Sequence, residues 1–140
     1  MVVVLVGIQF MPTRSNQSME LPLTDFVLTY KVPEEVERLL HTSCYNCHSN
    51  NTQYPWYSRV QPVGWFLENH IKNGKAELNF SEFGSFPLRK QKSKLNSMAN
   101  QIEKNEMPLS SYTVIHREAR LSNKSKKTLM DYLNALQDSL

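Results

Sequence analysis

The sequence predicts an all-α fold, and three observations carry that expectation. Apolar residues recur at helical spacing in four stretches: Val36 to Cys47, Val63 to Ala76, Leu88 to Asn105, and from Ser122 to the end. Only one run, Phe26-Val27-Leu28-Thr29-Tyr30, is strand-like, and a single strand has no sheet partner. The first helical stretch ends in Cys44-Tyr45-Asn46-Cys47-His48, which contains the chain's only two cysteines. At 140 residues and 40% hydrophobic content, the chain suits one domain with a modest core and is not expected to be disordered. The net charge of +3 makes the surface mildly basic, which favours acidic partner faces and is too weak for nucleic acid.

The N-terminal run MVVVLVGIQF is almost wholly apolar. It is shorter than the ~20 residues that span a bilayer, and it lacks a positive n-region and an A-x-A-like cleavage site. A buried strand is one reading. The preferred expectation for residues 1–12 is the tail of an export signal or membrane anchor whose beginning is missing. The rest would then be periplasmic and anchored to the inner membrane. Residues 13–32 read as a linker, with Pro12, Pro22 and Pro33 discouraging a continuous helix. Its apolar residues are expected to lie against the folded domain, which occupies residues 33–140.

That domain opens with Pro33-Glu34-Glu35, a favourable first helical turn. Val36, Leu39, Leu40, Ser43, Cys44 and Cys47 then share one face, and the helix ends by presenting His48. Two thiols at i and i+3 followed by an imidazole form the C-x-x-C-H signature of covalent c-type haem attachment. Both sulfurs can reach the two vinyl groups on one porphyrin edge, and His48 can take an axial position on the iron. Three competing readings are weaker. Structural zinc needs four ligands, and His41, His70 and His116 are scattered. A redox C-x-x-C is expected near a βαβ pattern. A disulfide across two residues is strained and leaves His48 without a role.

Beyond the motif, NNTQYPWYSRVQPVGW is a loop rich in rings. Tyr54, Trp56, Tyr57 and Trp65 are candidates for a wall of the haem crevice, with ordinary core filling as the alternative; Trp56, Trp65 and the later Tyr112 are the cofactor contacts taken forward. The helix from Val63 has Gly74 as its expected stop, and ELNFSEFGSFP reads as a turn-rich connection. On the next helix Leu95, Met98, Ala99 and Ile102 form the buried stripe. Its basic start, Arg89, Lys90, Lys92 and Lys94, either docks an acidic redox partner or is a solvated face. Pro108 ends that helix, which leaves Met107 on an extended segment where its thioether can reach the iron. Met107 is therefore the expected sixth ligand, with His70 and His116 as alternatives. The last helix starts at an N-cap Ser122 and buries Leu129, Tyr132, Leu133, Leu136 and Leu140. The early haem-bearing helix and this terminal one are expected to cross and close the core.

The CYNCHSNNTQYPWYS run, GKAELNFSEF, and EMPLSSYTVIH before LSNKSKK resemble the bacterial haem-binding domain family over roughly residues 30–138. The resemblance implies a small, exported, membrane-anchored protein with a cytochrome c-like helical fold and one covalent haem c. It also implies that Cys44 and Cys47 are attachment points, that His48 is the proximal ligand, and that Met107 holds the sixth position. The expected role is periplasmic single-electron transfer to redox partner proteins, without enzymatic activity. The alternative is a haem-based sensor or weak peroxidase with an open or displaceable sixth position. A zinc or redox-thiol module is a third, haem-free reading.

Overall fold

In the computed structural model, which describes residues 2–11, 15–18 and 20–140, every regular element is helical. A single antiparallel bridge, Gln17 to Asn51, is the only β-type pairing among the described residues. The sequence-predicted break at Pro12-Thr13-Arg14 lies outside them.

Helix α1 (Val2–Ile8) is an exposed helix, not a buried strand, and none of its residues is buried. Gln9, just beyond it, exchanges two hydrogen bonds with the Gln61 backbone, at 3.0 and 2.9 Å. No helix among the described residues is long and apolar enough to cross a membrane.

The strand-like run is a short helix, α2 (Phe26–Tyr30). Asp25 caps it by accepting from the Val27 amide, and Lys31 ends it in the left-handed region at φ 47°. Phe26 is fully buried, edge-on to Phe80 at 5.5 Å and to Phe83 at 5.0 Å. Burying such a ring stabilises by ~2–3 kcal/mol, more than the few tenths per residue by which β-prone side chains disfavour a helix. Tertiary packing therefore overrides local preference here.

Helix α3 (Glu34–Leu40) runs without a break into a π-helical turn, His41–Tyr45, and then into α4 (Asn46–His48). The widened turn holds Cys44 and buries Tyr45. The Tyr45 ring stacks on Phe80 at 4.8 Å, and its hydroxyl donates to Asp25 Oδ1 at 2.9 Å. Asp25 thus caps α2 and anchors the motif helix with the same oxygen. Asp25→Ala removes a cap worth ~1 kcal/mol and strands a buried hydroxyl at ~1–3 kcal/mol. A loss of ~2–4 kcal/mol in urea denaturation is expected, and a loss below ~1 kcal/mol contradicts this role.

The remaining helices are α5 (Val63–Glu77), α6 (Leu88–Glu103), α7 (Ser110–Ile115) and α8 (Asn123–Ser139). Ser122 caps α8 by accepting from the Ser125 amide. The most extensive pairing is α6 on α8, and α3 also rests on α8. The core collects Val36 and Leu40 from α3, Leu95, Ala99 and Ile102 from α6, and Leu129 and Leu133 from α8. The connection after α5 is a 3-10 helix, Phe80–Ser85, whose Phe80 and Phe83 are fully buried.

Candidate functional site

The α3–α4 helix ends against α5, and one glycine permits the approach. A Cβ at Gly74 would stand 2.9 Å from the Cys47 carbonyl oxygen and 3.4 Å from His48 Cε1. Gly74 does not end α5, which continues to Glu77; its missing side chain is filled by the backbone of the motif. The contact also orients His48. Its Nδ1 lies 2.9 Å from the Gly74 carbonyl and 3.1 Å from the Leu78 carbonyl. Carbonyls only accept, so Nδ1 carries the proton and Nε2 keeps its lone pair. Burial pushes the imidazole's pKa below its ordinary value, partly opposed by the Leu78 and Gly74 carbonyls. A neutral imidazole with a free Nε2 is the form that ligates a metal.

The chain after His48 is pinned on several sides. Asn50 N–H donates to Ser81 Oγ at 3.1 Å, and Thr52 Oγ1 donates to the Asn46 carbonyl at 2.7 Å. Asn16 reaches in from the N-terminal segment, donating to the Ser49 carbonyl at 2.8 Å and to Thr52 Oγ1 at 2.9 Å. Lys75 on α5 donates to Asn16 Oδ1 at 2.6 Å. No short sequence pattern announces these partners, because they are brought together only by the fold.

Beside this helix end lies a cavity of about 410 Å³ with a mainly apolar lining. Its lining takes Leu40, Ser43, Cys44, Cys47 and His48 from the motif helix, His70, Asn73, Gly74 and Glu77 from α5 with Leu78 and Phe80 just beyond it, and Lys94, Ser97, Met98, Gln101 and Ile102 from one face of α6. The segment Met107-Pro108-Leu109 and Tyr112 complete it. Asn105, at φ 60°, ends α6 in the left-handed region, and the Met107 amide donates back to the Gln101 carbonyl at 3.3 Å. Met107 is thereby held in the same cavity lining as Cys44, Cys47 and His48.

Of the residues singled out in the sequence, Cys44, Cys47, His48, Met107, Tyr112 and His70 line the cavity. Trp56 and Trp65 do not. Trp56 begins a 3-10 turn, Trp56–Arg59, and is 80% exposed; Trp65 is half-buried on α5, outside the lining. Tyr54 and Tyr57 likewise serve as fasteners elsewhere: the Tyr54 hydroxyl accepts from the Asn16 amide at 2.6 Å, and the Tyr57 hydroxyl meets His116 Nε2 at 2.7 Å. His116, with its other nitrogen 3.1 Å from Glu118, is occupied away from the lining. Tyr112 stacks on His116 at 4.3 Å and accepts from Asn46 Nδ2 at 3.0 Å. Met98, read in the sequence as core filling, also faces the cavity while packing against the core.

Burial, with Cys47 adding to it, pushes the Cys44 thiol up to about 12, and burial raises Cys47 as well. Disulfide chemistry needs a thiolate, which dithiol enzymes obtain by lowering the pKa. In haem-free protein at pH 8, Cys44 should react with iodoacetamide slower than free cysteine by on the order of a hundred- to a thousandfold. Alkylation as fast as free cysteine contradicts this. Nor do the described residues contain a cluster of three or more His, Cys, Asp or Glu able to hold a metal ion, as a structural zinc site requires.

A haem fits this donor set. Its flat apolar ring needs an apolar slot, and this cavity lies within the ~300–1,000 Å³ usual for ligand pockets. Two sulfurs one helical turn apart, a neutral imidazole beside them and two thioethers in the same lining meet the remaining requirements. No curated protein and no solved structure matches this chain. The haem-binding domain family matches residues 3–135, almost the entire chain, and the protein belongs to that family.

Proposed function

We propose that the protein is a monohaem c-type cytochrome that carries single electrons in the periplasm. The observation that carries this reading is the convergence of Cys44, Cys47, His48 and Met107 on one mainly apolar cavity. Each cysteine would add its S–H across a vinyl group, sulfur bonding the carbon next to the ring and hydrogen the terminal carbon. His48 Nε2 and Met107 Sδ would hold the iron, with the Gly74 and Leu78 carbonyls fixing the imidazole through Nδ1. The bound haem supplies a ferric/ferrous couple that takes up and gives back one electron.

The chain's own part would be to exclude water and to supply the iron's protein ligands. Leu40, Phe80, Met98 and Ile102 line the slot with apolar surface. Ligation by Met107 would leave peroxide no coordination site, which is why the reading is of a carrier and not of an enzyme. Basic side chains at the start of α6 suit an acidic redox partner, and the exposed apolar α1 suits a membrane anchor. The oxidised, matured protein should be low-spin, show one reversible one-electron couple in voltammetry and turn over no peroxide. A high-spin spectrum with peroxidase activity points instead to a sensor or peroxidase.

A further inference from the structure

We propose that Lys94 is the residue that pairs with the haem propionates, an inference that rests on the haem reading above. A porphyrin of the protoporphyrin type brings two carboxylates into a mainly apolar cavity, and buried carboxylates need a cation or water. Among the described lining residues Lys94 is the only lysine or arginine; His70, Glu77 and Tyr112 are the other titratable groups besides the motif itself. The other basic residues at the start of α6 do not line the cavity, and Lys90 instead lies over the Phe86 ring at 3.7 Å. Lys94 occurs on the cavity-facing stripe, four residues before Met98, and its side chain is 26% exposed.

Its present partner is weak. Glu77 Oε2 stands 3.9 Å from Lys94 Nζ, and the Glu77 side chain is 85% exposed. An ion pair that long and that exposed contributes little and is easily exchanged for a carboxylate inside the cavity. Ser97 and Gln101, one and two turns further along the same stripe, offer neutral donors to the same carboxylates. Glu77, an anion at the same mouth, opposes the propionates and should turn outward when Lys94 changes partner.

The test compares two porphyrins in full-length Cys44→Ala/Cys47→Ala protein, where binding is reversible: iron protoporphyrin IX and its dimethyl ester, whose carboxylates are masked. With Lys94 present, the free acid should bind about tenfold more tightly than the ester, the size of one charge-assisted hydrogen bond. Lys94→Gln should abolish that preference while leaving ester affinity unchanged; Lys94→Arg should keep it, and Glu77→Gln should increase it. An equal preference in the Lys94 and Lys94→Gln proteins overturns the inference and leaves the haem reading standing. Failure of both porphyrins to bind any of these proteins, with helical content intact by circular dichroism, overturns the inference; the haem reading itself falls only if matured wild-type protein is colourless as well.

Discussion

Met107→Ala should abolish the methionine-sulfur charge-transfer band of the oxidised, matured protein and turn its spectrum from low-spin to high-spin. The potential should fall, because methionine as an axial partner of histidine raises it, and axial ligands can move haem potentials over about 0.8 V. Two thioethers face the cavity, so the assignment between them needs a physical reason. Met98 is on α6 between Leu95 and Ile102 and is packed against the core cluster as well as lining the cavity, so its side chain already serves the core. Met107 is outside that cluster, beyond the left-handed turn at Asn105 and tied to Gln101 through its amide. Met98→Ala should therefore keep the band and lower stability by ~2–4 kcal/mol, as for truncation of a packed methionine. Retention of the band in Met107→Ala, with its loss in Met98→Ala, reverses the assignment; His70, which also lines the cavity, is implicated if the unsubstituted protein is low-spin without such a band and neither variant changes its spectrum.

Gly74→Val should produce the other large effect. Glycine inside a helix is ~1 kcal/mol worse than alanine, so alanine would be favoured at position 74 if space allowed. Space does not allow it: a Cβ there meets the backbone oxygen of Cys47 at 2.9 Å, and overpacking of this kind costs ~1–3 kcal/mol. The two terms leave Gly74→Ala destabilised by ~0–2 kcal/mol. Valine adds two methyl groups and loses the propensity gain, so ~3 kcal/mol or more is expected in guanidinium denaturation. Moving α5 away also lengthens the His48 Nδ1 contact to the Gly74 carbonyl, so the valine protein should show weakened axial ligation in its absorption spectrum. Wild-type stability and an unchanged spectrum in Gly74→Val contradict the close approach.

The long helices were legible because their signals are local. Leu95, Ala99 and Ile102 on α6, and Leu129 and Leu133 on α8, repeat at the helical period, and Ser122 marks a start in one residue. The pentapeptide Cys44 to His48 and the Met107-Pro108 step were legible for the same reason. What escaped depends on residues far apart in the chain. Phe26–Tyr30 has strand composition and becomes helical because Asp25 caps it and Phe26 enters a core completed by Phe80 and Phe83. Gly74 read as a helix stop, since only the fold brings Cys47 against it. The aromatic run after the motif suggested a haem wall, yet Tyr54 and Tyr57 fasten distant segments and Trp56 faces solvent. Lys94 looked like one member of a basic cluster, and its distinct position emerges only from the phase of α6 relative to the cavity.

Covalent attachment through Cys44 and Cys47 beside His48 is tested most directly on a denaturing gel stained for haem peroxidase activity. Protein made alongside cytochrome maturation machinery should carry a stained band at its own mass, and its pigment should stay with the polypeptide in acidified organic solvent. The Cys44→Ala/Cys47→Ala protein should show no such band. A colourless wild-type protein, or a pigment extracted equally from both, contradicts attachment through these two sulfurs.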